Sequence, residues 1–433
     1  MGSSSASVSP PCCSSSVVNE TLTLIPGLPN DVSALILIHL PFSHQGRLRS
    51  TCRSWRSFLS SKSLISLRRL YLPPSRLAHL LCIFPQDPFI APPILFDPRS
   101  LAWRLLPTLP CDPHVYSLCN FASVALGPCI YILGGSLFDT RSYPIDRPCP
   151  SSSVFRLDLF SSSWDRISPM LSPRGSFACA VMPSLGQIVV AGGGSRHTMF
   201  GAAGSRMSSV ERYDSARDEW VALDGLPRFR AGCTGFMVGN ASQKDFWVMG
   251  GYGESRTVSR MLPVDEYYRD AVVMELRNGG KWRELGDMWE EGERARLGKI
   301  VVVEDDDDCA VPDIFMLDGK EILRYDMAIN RWHKESRVPR KTPNIADFGF
   351  VALDGELHVM TRLNGAEAAE TGRPQHQKRS SPMLLMQIYH PRNKAWRSVI
   401  TKLPFFHQQG DLLKLPSLQQ LDLKPAIMCT IRL

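Results

Sequence analysis

Apolar and polar positions alternate with a period of two along most of the chain, in short runs broken by turn residues. In Val210-Glu211-Arg212-Tyr213-Asp214 the alternation puts Val210 and Arg212 on one face and Glu211 and Tyr213 on the other. Ser215 to Glu219 supply a turn, and Trp220-Val221-Ala222-Leu223 return as a second strand. The unit recurs. An acidic or polar residue stands six positions before a tryptophan in Asp97/Trp103, Asp158/Trp164, Asp214/Trp220 and Asp326/Trp332, and His390/Trp396 keeps the spacing. Glu275/Trp282 is one residue longer and carries Asn278-Gly279-Gly280 in its turn. The six tryptophans lie 61, 56, 62, 50 and 64 residues apart, so the chain predicts a radial array of similar β units.

A second signal is a β-rich run that closes on a glycine pair. It occurs at Cys129 to Gly135, Ile188 to Gly193 and Phe246 to Gly251. Paired glycines at a strand end suit a backbone that turns left-handed and packs closely on its neighbour. The pattern decays later, to Asp318-Gly319 and Asn364-Gly365. The first unit, Leu80 to Leu106, offers three strands and lacks an opening one, whereas Ala426 to Leu433 is a solitary apolar strand at the other end. Pairing the two closes a ring and removes exposed edges. Six tryptophans predict six blades, with seven as the main structural alternative.

Near the N-terminus the period changes. Ile25-Pro26-Gly27-Leu28-Pro29-Asn30-Asp31-Val32 leads into Leu35 to Leu40, and Pro41 ends that helix. A second helix is predicted to carry Leu48, Cys52, Trp55 and Leu59 as one apolar stripe at spacings of four, three and four. This segment is too small to hide its own apolar residues, which implies a partner surface.

Composition narrows the function classes. The 433 residues are 44% hydrophobic and 21% charged, with a net charge of +7 spread along the chain, so nucleic-acid binding is not suggested. No apolar run reaches the roughly 18 residues of a membrane span. The start, Met1 to Ser16, has neither the basic nor the apolar region of a secretory signal and is expected to be a disordered tail. Gly2 nearly meets a myristoylation pattern, but Ala6 stands where it needs Ser or Thr. Cys12 and Cys13 are the candidate palmitoylation sites there. The 12 cysteines include no CxxC pair and no zinc spacing, and read as small buried hydrophobes of the cytosol or nucleus.

Catalytic chemistry is not written here. The histidines, among them His114, His197, His333 and His358, show no repeated pairing that predicts a metal. Asp305 to Asp308 read as a solvated turn, and no phosphate-binding G-x-x-x-x-G-K-[ST] exists. No cofactor is expected. The recurrent feature is arginine after four successive tryptophan strands: Arg174, Arg228 and Arg230, Arg294 and Arg296, and Arg340. Guanidinium forks recognise carboxylates and phosphates.

The glycine doublet, the Tyr-Asp and the tryptophan six residues on resemble kelch repeats from about Leu80 to Leu433. The order Leu-Pro-x-Asp, Leu-Pro, Cys-x-x-Trp-Arg resembles the F-box, with Thr51 where that family usually has Val. The resemblance implies a mainly β fold: a six-bladed kelch β-propeller with a small N-terminal α-helical F-box. It divides the chain into a tail (1–23), an F-box (24–70) and a propeller (75–433) closed by the C-terminal strand. It implies that Leu28, Pro29, Leu40 and Pro41 face a Skp-type adaptor, and through it cullin and RING subunits, while Trp55 and Leu59 build the F-box core. The crossings that carry Arg174, Arg228, Arg230, Arg294, Arg296 and Arg340 then form one channel rim, expected to take an acidic or phosphorylated target protein. The implied role is a non-catalytic substrate-recognition adaptor of an SCF-type cullin–RING ubiquitin ligase. The alternatives are a propeller scaffold without a ligase role and a carbohydrate-active propeller enzyme.

Overall fold

The computed structural model describes residues 23–73, 76–85, 92–110, 116–139, 149–194, 206–240, 243–258, 262–276, 280–289, 297–303, 312–339, 349–363, 383–402, 405–407, 418–420 and 426–433. The Met1–Ser16 tail with its Gly2, Cys12 and Cys13, the Asp305–Asp308 run and Asn364-Gly365 lie outside these residues. The chain divides into two units, Met1–Leu67 and Arg68–Leu433.

The first unit is helical: α1 (Asn30–Ile38), α2 (Phe42–Leu48), α3 (Arg53–Leu59) and the start of α4 (Lys62–Tyr71). Pro29 and Pro41 are the capping residues just before α1 and α2, where a missing N–H costs nothing. Leu37, Ile38, Leu59, Leu64 and Ile65 are buried, and the half-buried Trp55 indole donates to the Leu24 carbonyl at 2.7 Å. The helix expected to run from Leu48 through Leu59 is instead broken. The Ser50 and Thr51 hydroxyls bond back to the Arg47 and Leu48 carbonyls. Cys52 is extended, and its Sγ caps α3 by accepting from the Trp55 N–H at 3.4 Å. Local side-chain bonds to backbone thus compete with helix continuation.

Among the described residues, the second unit contains six four-stranded antiparallel sheets. Blade 2 is Ala122–Leu126, Cys129–Leu133, Val154–Asp158 and Ser163–Ile167. Blade 3 is Ala178–Met182, Gln187–Ala191, Val210–Asp214 and Glu219–Leu223. Blade 4 is Thr234–Asn240, Gln243–Met249, Ala271–Glu275 and Lys281–Leu285. Blade 5 is Lys299–Val303, Asp313–Asp318, Glu321–Asp326 and Arg331–Arg337. Blade 6 is Phe350–Leu353, Glu356–Leu363, Met383–His390 and Ala395–Lys402. Blade 1 combines His79–Pro85, Ile94–Asp97 and Ala102–Leu105 with the C-terminal strand Ala426–Arg432, which pairs along the whole of His79–Pro85. Each inner strand leads outward to a tryptophan strand. Ala125, Val181, Phe236, Val302, Ala352 and Ile431, one from each inner strand, line an axial cavity of about 630 Å³.

The tryptophan repeat has a local cause. Asp97, Asp158, Asp214 and Asp326 accept hydrogen bonds from backbone N–H groups two or three residues on, which fixes the start of the turn. In all six blades the residue two before the tryptophan is left-handed: Leu101, Ser162, Asp218, Gly280, Asn330 and Lys394, with φ between 50° and 75°. That residue closes the hairpin and returns the chain with its tryptophan opposite the third strand, as in Tyr213↔Trp220, Tyr325↔Trp332 and Tyr389↔Trp396. The indole N–H groups of Trp164, Trp220 and Trp282 then donate to backbone carbonyls that follow the preceding blade (Pro107, Ser168 and Asp224). Between blades 2 and 3, Trp220 and Tyr213 pack with Tyr131, Leu133, Val154 and Met170. Asp214→Ala removes the acceptor for the Ala216 and Arg217 N–H groups. It is expected to lower stability by about 1 kcal/mol, measurable as a lower urea midpoint with an unchanged slope.

Candidate functional site

Two features of the chain bear on the expected sites: the open face of α1 and the arginine-bearing crossings that enter blades 3 and 4.

Helix α1 is apolar on both sides. Ser33, Ala34, Leu37 and Ile38 face inward. Val32, Leu35 and Ile36 lie at helical spacing on the other side and stay open, as does Leu28 in the turn just before Pro29, each between 37% and 46% exposed. Large apolar side chains gathered in water on one side of a helix make a surface suited to a partner. Leu28, Pro29 and Pro41 are exposed and Leu40 is half-buried, which places Leu28 and Pro29 beside the open face and Leu40-Pro41 at the α1–α2 corner. Val32, Leu35 and Ile36 were not singled out by the Leu-Pro pairs. Their own spacing of three and four along α1 is the signal that finds them.

The arginines are a correction to the expected rim. Arg174 is fully buried, and its guanidinium donates to the Gly192 and Ser209 carbonyls, both at 2.9 Å, to Ser209 Oγ, and to the carboxylate of Glu211. Glu211 also accepts from the Leu171 and Ser172 N–H groups at 2.8 and 3.0 Å. Burial lowers the Arg174 pKa, and Glu211 acts against that shift. Arg230 repeats the arrangement one blade on: it is 1% exposed and donates to the Gly250 carbonyl at 2.8 Å and to Asp270 at 2.9 Å. The glycine doublets complete the unit. Gly135 and Gly193 donate to the Arg174 and Arg230 carbonyls at 2.8 Å, with φ of 97° and 103°. A Cβ on Gly134 or Gly192 would come within 2.4 or 2.3 Å of those same carbonyls. Arginine and doublet therefore tie neighbouring blades together. Two charges that are desolvated and paired in this way are held for the fold rather than for an anionic ligand.

Arg228 differs. Its side chain is 46% exposed, stacks over the Tyr268 ring and reaches Asp270 and Glu284 at 2.5 and 3.4 Å. Phe229 beside it is 49% exposed. Arg294, Arg296 and Arg340 lie outside the described residues. Of the six arginines, the structure brings Arg228 and Arg230 together on Asp270 and Tyr268, and gives Arg174 its own acid.

The seam between blades 6 and 1 carries a separate charge cluster. Asp354, at the first turn of blade 6, meets Arg99 at 2.7 Å and His79 at 3.3 Å. Burial would raise its carboxyl, but hydrogen bonds from His79 and Arg99 hold it down at about 2. His358 is 3% exposed, and burial presses its imidazole down to about 4 against the pull of Glu356. An unfolded histidine takes up its proton near pH 6.5, before the folded one does. The stability His358 allows is therefore complete above that value and lost as pH falls toward 4, by about 3 kcal/mol. The Asp354 contribution is present above its unfolded value and lost as pH falls through 2. His358→Leu is expected to flatten the urea-measured stability profile between pH 6.5 and 4 and to leave the lower limb in place.

Among the described residues no group of three His, Cys, Asp or Glu side chains is placed to hold a metal ion. Among the same residues no helix is long and apolar enough to cross a membrane.

Against known proteins, residues 25–67 match the F-box domain model and residues 117–171 match the Kelch motif model. The chain is 59% identical to F-box/kelch-repeat protein OR23 of Arabidopsis thaliana, over 96% of this chain and 93% of that one. It is 31% identical to F-box/kelch-repeat protein SKIP30 of the same plant, over 51% of this chain and 59% of that one.

Proposed function

Because the chain belongs to the F-box/kelch-repeat protein family, we propose that it is a substrate-recognition adaptor of an SCF-type cullin–RING ubiquitin ligase. The observation that carries the reading is the open apolar face of α1. Leu28, Val32, Leu35 and Ile36 sit within the F-box match and leave several large apolar side chains in water on one small helical unit. A Skp-type adaptor covers that face, and cullin and RING subunits follow through it. The propeller holds the target protein, and the chain itself transfers no group. Loops held on a rigid ring are where a propeller recognises its partner. With Arg174 and Arg230 committed to the ring, the half-exposed Arg228 and exposed Phe229 are, among the described residues of that rim, open to a target.

The reading is tested by capturing the tagged full chain from cells with and without proteasome inhibition. Cullin and RING subunits are expected in both captures, together with a protein that accumulates only under inhibition. Capture of a propeller partner without cullin would mark a scaffold instead.

A further inference from the structure

We propose that Cys82 and Cys429 form a reversible disulfide that covalently closes the propeller ring. The two residues are direct partners in the antiparallel pairing of His79–Pro85 with Ala426–Arg432. Ala78 and Leu433 exchange both backbone hydrogen bonds at 2.9 Å. Four residues along each strand, Cys82 and Cys429 again form a hydrogen-bonded pair, whose Cα atoms stand about 5.5 Å apart, inside the range a disulfide spans. Directly opposed side chains project to the same face of the sheet, with Cβ atoms about 5.5 Å apart in a hydrogen-bonded pair. Neither strand therefore needs to slip in register, and closing the bond draws the two Cβ atoms together by about 1 Å or more. Among the described residues no other two cysteines are strand partners.

The pair sits where a covalent bond has the most to constrain. Nearly the whole propeller lies between Cys82 and Cys429 in sequence, and this pairing is what joins the C-terminal strand to blade 1. Both thiols are free and buried, but they are not equivalent. Cys429 lines a second, smaller pocket of about 340 Å³ between the inner strands, beside Met428 and Thr430, so a small oxidant reaches it from there. Cys82 is fully enclosed; burial first, and then the Cys429 thiol, raises its pKa well above the ordinary value. Cys429 therefore reacts first and Cys82 resolves.

With hydrogen peroxide as oxidant, the Cys429 sulfur attacks one peroxide oxygen. The O–O bond breaks, a sulfenic acid forms and one water leaves. The Cys82 sulfur then attacks the Cys429 sulfur, the S–O bond breaks, and the hydroxide departs as a second water with the Cys82 proton. In total two thiols and one peroxide give one disulfide and two waters, with two electrons passed from sulfur to oxygen. A dithiol restores the pair by exchange.

The test treats the reduced full chain with hydrogen peroxide and maps its peptides without reduction. A Cys82–Cys429 linked species, two hydrogens lighter than the two thiol peptides together and split by dithiothreitol, is the expected result. The midpoint of thermal unfolding is expected to rise by ~5 °C, reversibly. Cys429→Ser should abolish both changes. Since that substitution also touches a buried site, the map of the unsubstituted chain decides by itself. Recovery of Cys82 and Cys429 as separate peptides, after exposed Cys52 and Cys149 have been oxidised, overturns the proposal. So does a link that appears only in denaturant.

Discussion

Arg174→Ala is expected to destabilise the propeller by roughly 3–5 kcal/mol, as the loss of one partner from a buried ion pair does. The substitution leaves Glu211 nearly fully buried with no counter-charge, and it strips donors from the Gly192 and Ser209 carbonyls. The cost comes mainly from what is left behind. Arg174→Met combined with Glu211→Leu, which removes both charges and keeps most of the volume, is therefore expected to recover most of the loss. Urea unfolding of the two variants beside the parent measures this. An Arg174→Ala midpoint equal to the parent's would mean that this side chain does not tie blade 2 to blade 3.

That role was hidden in the sequence for a physical reason. Ser172-Pro173-Arg174 reads as a turn, and an arginine in a turn reads as solvated. Its partner Glu211 lies 37 residues away on the third strand of the next blade, and Asp270 lies 40 residues from Arg230. Nothing local announces either pair. The tryptophans and glycine doublets were legible because their constraints are local. An aspartate starts each turn of blades 1, 2, 3 and 5, a left-handed residue ends all six turns, and the doublets close strands that must pack against a neighbouring carbonyl. At the N-terminus the Leu-Pro pairs fall within the F-box match but do not point to the open apolar side of α1. Val32, Leu35 and Ile36 look like ordinary helix-core residues until Leu37 and Ile38 are seen to occupy the interior. The break at Cys52 was likewise masked, since the apolar spacing from Leu48 to Leu59 suits a continuous helix and the hydroxyls of Ser50 and Thr51 that end it carry no period.

Leu28→Ala with Ile36→Glu is expected to weaken adaptor binding by ~100-fold or more. Truncating a central apolar anchor commonly removes about 2 kcal/mol, and a carboxylate placed on a face that must be desolvated adds to the loss. Both side chains are already in water in the free chain, at 40% and 46% exposed. The folded state therefore loses little, and thermal unfolding of the variant should superimpose on that of the parent. Gel filtration of chain and adaptor together reads the effect as loss of the shared peak. A shared peak that survives the double substitution would move the docking surface away from α1.

Docking of a Skp-type adaptor on the N-terminal unit is read out by calorimetric titration of the intact chain with purified adaptor. A saturable one-to-one complex is expected, with a dissociation constant of about 1 μM or tighter, near −8 kcal/mol. The negative heat-capacity change of apolar burial should accompany it. A chain that is folded by near-UV circular dichroism, yet gives no binding heat and no complex at concentrations well above that value, would contradict it.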